Sequence, residues 1–184
     1  MTDSSTSAPD RSAPPRGAPL LVTAELPADV FAWADSLRQA HYPPERNRLG
    51  AHVTMLHGLP PSAEQEVRRL LARLAAGSAP EARIMGLMDL GRGTALEVES
   101  AALSLLHGDL AEHLRGLIQQ KDMHPPRFHI TVQNKVPAAV ARALQAELAP
   151  ILQPRAFRFR GLALYHWRDE LWQMAQLYPF RGQA

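Results

Sequence analysis

The stretch Phe128-His129-Ile130-Thr131-Val132-Gln133 repeats the pattern of an earlier stretch, Ala51-His52-Val53-Thr54-Met55-Leu56. In each, a histidine and a threonine stand two positions apart, with apolar residues between and after them. Side chains at positions i and i+2 of a β-strand point to the same face. Each stretch therefore predicts a strand with an imidazole and a hydroxyl on one face and apolar side chains on the other. Two such strands, 77 residues apart, predict a cleft in which two histidines face each other.

The segments around the two motifs also repeat. Alternating and helical apolar patterns, with proline and glycine at the boundaries, define the elements. They predict, in order, a strand 20–26, a helix opened by Pro27, the His52 strand, a helix 63–76 with a capping box at Ser62 and Gln65, a hairpin of 82–90 and 94–98, a helix 101–120, the His129 strand, a helix 138–148 opened by Pro137, and a hairpin of 157–165 and 171–178. The order predicts an α+β fold of two pseudo-symmetric lobes, about 20–100 and 101–184. Each lobe has antiparallel strands and two helices and supplies one His-x-Thr strand to the central cleft.

Composition narrows the class of protein. The chain has 184 residues and no cysteine, so disulfides, thiolate metal sites and cysteine nucleophiles are excluded. Residues 1–19 are rich in Pro, Ser and Thr and predict a disordered tail rather than a signal peptide. The apolar runs are too short to predict a membrane span. We expect a single cytoplasmic, monomeric domain over residues 20–184, with no cofactor.

Positive charge is concentrated in the second half of the chain. The net charge is only +2, yet the segment from Lys121 to Arg168 holds eight cations and two acids, a local net charge of +6. That segment includes the second His-x-Thr motif. This excess of positive charge fits an anionic ligand and slightly favours a polyanion, although a solvated basic face would have the same composition.

Two opposed imidazoles suit phosphoester chemistry. An imidazole pKa near 6.5 lets one histidine accept a proton from the attacking nucleophile while the other donates one to the leaving oxygen. Thr54 and Thr131 lie on the same face and can hydrogen-bond the non-bridging phosphate oxygens. This chemistry needs no metal. The sequence leaves open whether His52 or His129 is the base.

The motifs His52-Val53-Thr54 and His129-Ile130-Thr131 resemble the paired His-x-Thr/Ser signatures of the 2H phosphoesterase superfamily, with most similarity to its bacterial 2′-5′ RNA ligase-like and cyclic phosphodiesterase group. The resemblance covers about residues 20–180. It implies metal-independent attack on a 2′,3′-cyclic phosphate or a 2′-5′ phosphodiester of an RNA end or nucleotide. It also implies that His52 and His129 are the acid and base and that Thr54 and Thr131 bind the phosphate. Leu56-His57-Gly58 departs from the aromatic residue and glycine that many members have after the first motif.

Further residues are candidates for substrate contact. Arg127, Gln133 and Lys135 share the predicted face of His129, Arg48 and Arg168 are loop cations, and Tyr165 with Trp167 and Trp172 would form a base-stacking wall. Strict alternation turns His57 away from His52 and Thr54, which favours a rim or structural role. The remaining histidines have no patterned partner, although His124 is placed near the rim; they are His41, His107, His113, His124 and His166.

Three alternatives remain. The protein can bind an RNA end or nucleotide without turnover, although the intact motifs favour an enzyme. The same four residues can also catalyse the reverse reaction, joining ends through a 2′-5′ linkage. A histidine zinc site is disfavoured because neither motif strand brings an Asp or Glu to the predicted cleft face.

Overall fold

A computed structural model describes residues 17–118, 120–124 and 126–182. These residues form one eight-stranded antiparallel sheet and four α-helices. The predicted α+β class is confirmed. The strands are β1 Leu20–Glu25, β2 Val53–Leu59, β3 Glu81–Asp89, β4 Gly93–Glu99, β5 His129–Asn134, β6 Arg155–Arg158, β7 Gly161–Arg168 and β8 Leu171–Pro179. The helices are α1 Ala28–His41, α2 Glu64–Leu74, α3 Ala101–His113 and α4 Ala138–Leu148. Residues 1–16 of the predicted tail lie outside the described residues.

The strand order is β6-β3-β4-β5-β2-β1-β7-β8. The two motif strands, β2 and β5, are therefore neighbours at the centre, with three further strands on each side. The halves of the sheet are not the halves of the chain. Strands β3 to β6 form one half, whereas β7 and β8 return to pair beside β1. The expected division of the lobes near residue 100 does not match this pairing.

A proline or a serine precedes α1, α3 and α4. Pro27 and Pro137 precede α1 and α4 in extended conformations, as the sequence predicted. Ser100 caps α3, because its Oγ accepts a hydrogen bond from the Leu103 amide at 3.1 Å. The predicted capping box at Ser62 is wrong: Pro61–Ala63 form a 3-10 turn, and α2 begins after Ala63 without a side-chain cap.

Two predicted elements are shorter than expected. Helix α3 ends at His113 instead of Gln120, and Gly116 in the following turn has a positive φ of 88°, which no helix accommodates. The predicted strand 157–165 is two strands, because the chain passes at Phe159 and Arg160 from β6, at one edge of the sheet, to β7, which lies between β1 and β8. The Phe159 amide bonds Pro80 O and the Arg160 amide bonds Glu25 O.

The closing hairpin is confirmed. Strands β7 and β8 are joined by Asp169 and Glu170, both with positive φ (48° and 59°), the geometry of a tight two-residue turn. One large apolar core packs the helices against one face of the sheet, and it includes Val30 and Ala34 of α1 together with Val53 and Ile130. No helix in the described part of the chain is long and apolar enough to cross a membrane.

Candidate active site

The two motif strands meet at one antiparallel pair, Val53 opposite Ile130. Both side chains are fully buried in the core. Because neighbouring side chains alternate between faces, His52, Thr54, His129 and Thr131 all point to the other face. All four are half-buried. The pair thus brings both motifs together on one partly open face, as their repetition predicted.

The two histidine rings are held in the same way. His52 Nδ1 lies 2.7 Å from the carbonyl oxygen of Gly50, and His129 Nδ1 lies 2.8 Å from that of Arg127. In each case the acceptor is the carbonyl two residues before the histidine. A carbonyl oxygen only accepts, so Nδ1 carries the proton. Nε2 of each ring is then the nitrogen available to a substrate.

The protein environment keeps His52 neutral. Burial, together with the nearby charges of Arg38, His129 and His57, lowers the pKa of His52 to about 4, although the hydrogen bond to Gly50 opposes this. The residue as a whole is half-buried. Near pH 7 the ring is therefore unprotonated and able to accept a proton.

Arg38, which the sequence analysis did not single out, lies in the last turn of α1 and contacts the second motif strand. Its side chain is 5% exposed. Nη1 donates to the Thr131 carbonyl at 2.7 Å, Nε donates to Asn47 Oδ1 at 2.8 Å, and the guanidinium lies 4.1 Å from the centre of the Tyr42 ring. Burial lowers the pKa of Arg38 from its usual value, but the group stays cationic. Arg38 ties the helix, the loop before β2 and the second motif into one unit.

His57 belongs to the motif face, which corrects the expectation from strict alternation. Thr23 of β1 pairs with Thr54, and Leu21, two residues away on the same face of β1, pairs with His57. The three steps along β2 from Thr54 to His57 therefore lie opposite only two steps along β1, from Thr23 to Leu21. This β-bulge brings the His57 side chain to the same face as Thr54. The His57 ring packs edge-on against Trp172, with the ring centres 5.7 Å apart.

A cavity of about 140 Å³ opens beside the motifs. Its walls come from β2, from α3 and from the segment that leads into β5: Thr54, Met55, His57, His107, Asp122, His124, Pro126, Arg127 and His129. Arg127 and His124 thus lie at the cavity. Arg127 also pairs with Glu97 at 2.8 Å, across the strand from His129. A larger open groove near Phe157 contains no motif residue.

The other candidate contacts lie elsewhere. Gln133 is 3% exposed and does not line the cavity. Lys135 follows the end of β5 with a φ of 58° and is exposed. Arg48 pairs with Glu170 at 3.4 Å and so joins the loop before β2 to the closing hairpin. Arg168 lies on the opposite face of the sheet, with Nη2 3.4 Å from His166 Nδ1.

The predicted aromatic wall is only partly accessible. Tyr165 shares the motif face through its pairing with Leu21, but it is 6% exposed and packs with Leu49 and Trp172. Its hydroxyl donates to the buried Glu25 carboxylate at 3.1 Å. Burial and this carboxylate raise the Tyr165 pKa, so the hydroxyl stays protonated. Trp167 and Trp172 are half-buried and pack edge to face at 5.2 Å.

Acids from other segments offset part of the basic stretch. Arg127 pairs with Glu97, Arg158 with Glu81 and Arg160 with Glu25. Arg155 lies over the Trp33 ring at 4.9 Å. These pairs reduce the support that the local charge gave to a polyanionic ligand.

The described residues contain no group of three or more His, Asp or Glu side chains arranged to hold a metal ion. The described part of the chain therefore offers no ligand set for the zinc alternative.

Comparison with known proteins gives the family and the fold. A sequence profile of the 2′-5′ RNA ligase superfamily matches residues 26–171. The chain belongs to the 2′-5′ RNA ligase superfamily. Thus the family resemblance carried by the two motifs is confirmed. No curated protein matches the sequence significantly.

Solved structures share the superfamily fold at low sequence identity. TT0787 of Thermus thermophilus is 19% identical with a TM-score of 0.61, covering 90% of this chain and 100% of its own. A phosphoesterase is 17% identical with a TM-score of 0.58, covering 91% and 99%. E. coli LigT complexed with 3′-AMP is 16% identical with a TM-score of 0.57, covering 91% and 99%. At these identities the likeness is one of fold.

Proposed function

We propose that the protein is a metal-independent phosphoesterase that hydrolyses 2′,3′-cyclic phosphates or 2′-5′ phosphodiesters of RNA ends or nucleotides. The observation that carries the proposal is the matched anchoring of His52 and His129. Each Nδ1–H is held by a backbone carbonyl, and each Nε2 is left for proton transfer. Membership of the 2′-5′ RNA ligase superfamily supports the reaction class.

The protonation of His52 suggests which of the two histidines is the base and which is the acid. A low pKa leaves His52 Nε2 unprotonated, so it acts as the base. For a 2′,3′-cyclic phosphate, the oxygen of water attacks phosphorus as His52 Nε2 takes the water proton. The bond from phosphorus to O3′ breaks, and protonated His129 donates its Nε2 proton to O3′. A 2′-phosphate is released, and the two histidines exchange protons with solvent before the next cycle.

Thr54 and Thr131 hold the phosphate in this proposal. Both lie on the face of the histidines, one beside each, so their hydroxyls donate to non-bridging oxygens and keep phosphorus between the rings. Arg38 fixes the backbone at Thr131 through its 2.7 Å bond to that carbonyl. Arg38 therefore positions the second motif and adds positive potential without contacting substrate.

Hydrolysis of a 2′,3′-cyclic nucleotide in excess chelator tests the proposal. We expect turnover by the wild type and a loss of roughly a hundredfold or more in His129→Ala, since general acid–base groups contribute about 10²–10⁴-fold. His113→Ala is the matched control, because His113 is an exposed histidine of α3 whose ring lies 3.0 Å from Arg73. Binding of the nucleotide with no turnover would instead favour the nucleotide-binding module.

Ligation is the second candidate. Superfamily membership favours it, because a 5′-hydroxyl that attacks the 2′,3′-cyclic phosphate in place of water forms a 2′-5′ linkage as the bond from phosphorus to O3′ breaks. The same histidines and threonines serve both directions. Incubation of RNA ends bearing a 2′,3′-cyclic phosphate and a 5′-hydroxyl would show whether a 2′-5′ linkage accumulates.

A further inference from the structure

Two residues that line the cavity beside His129 each carry a buried polar atom with no hydrogen-bond partner among the described residues: His107 Nδ1 and Asp122 Oδ2. His107 comes from α3 and is 1% exposed. Asp122 comes from the 3-10 turn Gln120–Met123, which precedes β5. The catalytic proposal uses neither group. Leaving a buried polar atom unpaired is unfavourable, so two such atoms on residues that line one cavity indicate a ligand or ordered water.

The cavity is too small for an oligonucleotide. Its volume of about 140 Å³ equals that of about four or five molecules of liquid water, enough for one small ring system. Thr54 and His129 form another part of its wall, so its occupant adjoins the phosphate of a bound substrate. A second phosphate is disfavoured there because the Asp122 carboxylate would repel it. A carboxylate prefers a neutral group that donates N–H or O–H.

His107 narrows the choice further. Its ring packs edge-on against Phe128 at 6.3 Å, which fixes its orientation. Burial lowers the pKa of His107 although Asp122 opposes the shift, so near pH 7 the ring is neutral with one N–H. With that proton on Nδ1, the cavity presents one donor and one acceptor. Adenine and cytosine have the complementary pair on their Watson–Crick edges, an exocyclic amino donor beside a ring-nitrogen acceptor. At the matching positions, which are the exocyclic group and the adjacent ring nitrogen, uracil and hypoxanthine present the reverse order, a carbonyl acceptor beside an N–H donor.

We propose that His107 and Asp122 form a base-recognition subsite for the Watson–Crick edge of adenine or cytosine. The inference rests on the proposed phosphoesterase function and extends it to substrate choice. Asp122 Oδ2 accepts from the exocyclic amino group, and His107 Nδ1–H donates to the adjacent ring nitrogen. His57, His124 and Arg127 are exposed at the rim, where the ribose enters.

The test compares kcat/KM for cytidine and uridine 2′,3′-cyclic phosphates. We expect the wild type to prefer cytidine by roughly tenfold or more, since a site built to hydrogen-bond a group discriminates against the analogue that lacks it. Asp122→Ala should bring the ratio close to one mainly by lowering the value for cytidine. Asp109→Ala, an exposed acid on α3, is the matched control and should retain the wild-type ratio. Because both substrates are measured on the same protein, the ratio does not depend on how much of a variant is folded.

Three results would overturn the subsite. They are equal rates for both nucleotides in the wild type, a preference that survives Asp122→Ala, and an equal fall for both substrates, which would place Asp122 on the ribose or in a structural role. If the wild type hydrolyses neither nucleotide, the proposed function fails separately. The subsite is then decided by calorimetric binding of cytidine and uridine 2′-monophosphates, where equal affinities would overturn it.

Discussion

The surroundings of His52 strongly change its protonation. Burial and the Arg38 charge lower its pKa to about 4, so the base form persists well below neutrality. We predict that the acid limb of the kcat/KM profile, which reports the base of the free enzyme, lies nearer pH 4 than pH 6.5. Arg38→Gln should move this limb to higher pH, because it removes a positive charge that opposes protonation. Arg73→Gln, an exposed arginine of α2, should leave it in place.

Rates measured from pH 4 to 8 on the wild type and both variants check this expectation. An acid limb near pH 6.5 in the wild type would contradict the assignment of His52 as the base. So would a limb that Arg38→Gln moves to lower pH.

Single residues also mark the limit of the sequence evidence. His52, Thr54, His129 and Thr131 could be predicted because the whole pattern occurs twice with a strand period of two. Arg38 has the sequence signature of an exposed helical cation, and only the tertiary structure buries it beside Thr131. His57 was placed on the wrong face because a β-bulge changes the alternation without a local sequence signal.

Alanine substitutions at two glycines are expected to change the free energy of unfolding in opposite directions. A Cβ on Gly161, where β7 begins, would lie 2.6 Å from the Tyr178 carbonyl oxygen, so Gly161→Ala should force β7 and β8 apart. Gly108 lies exposed within α3, and a Cβ added there would meet no neighbouring side chain or distant backbone within 4 Å. Gly108→Ala should therefore raise the free energy of unfolding by about 0.5–1 kcal/mol, the helix propensity difference.

Denaturant unfolding of both variants provides the measurement. Gly161→Ala should lower the free energy of unfolding by about 1–3 kcal/mol. A neutral Gly161→Ala would show that the hairpin tolerates the methyl group, in conflict with the close approach of β7 and β8.

Element boundaries were predictable where proline or a tight turn defined them. Pro27, Pro137 and the turn at Asp169 and Glu170 act through local backbone geometry, so their positions are readable from sequence. The break between β6 and β7 was not predictable, because Phe157 and Phe159 keep a strand-like alternation across it. That break depends on bonds to the distant residues Pro80 and Glu25.

For the whole molecule, the repeat predicted two similar lobes but not how the chain builds them. Strand pairing is set by contacts between residues far apart in sequence, and local patterns carry little information about it. Hence β7 and β8 join β1 instead of completing a second, contiguous half. The cavity has the same origin: α3 and the segment before β5 bring His107 and Asp122 to it from positions without a motif.

Acid stability is a property of the whole fold to which the same histidine contributes. In the unfolded chain His52 takes up a proton near its ordinary pKa of 6.5, but in the folded chain only near 4. Between these values the unfolded state binds more protons, so stability falls as the pH is lowered from about 6.5 to 4. Replacing His52 with Gln should remove up to about 3 kcal/mol of this dependence.

Urea unfolding at pH 7 and pH 4.5 checks this expectation, with His113→Gln as the control that retains the wild-type dependence. An equal loss of stability on acidification in wild type and His52→Gln would show that other groups carry it.

The central claim is that His52 and His129 act as one acid–base pair, and a double-variant cycle tests it most directly. Initial rates on a 2′,3′-cyclic nucleotide in excess chelator are compared for the wild type, His52→Ala, His129→Ala and the double variant. Groups that act as a unit are strongly non-additive. We predict a loss of roughly a hundredfold or more in each single variant, with at most about a further tenfold in the double variant. Losses that multiply in full, or activity that survives both substitutions, would contradict the account.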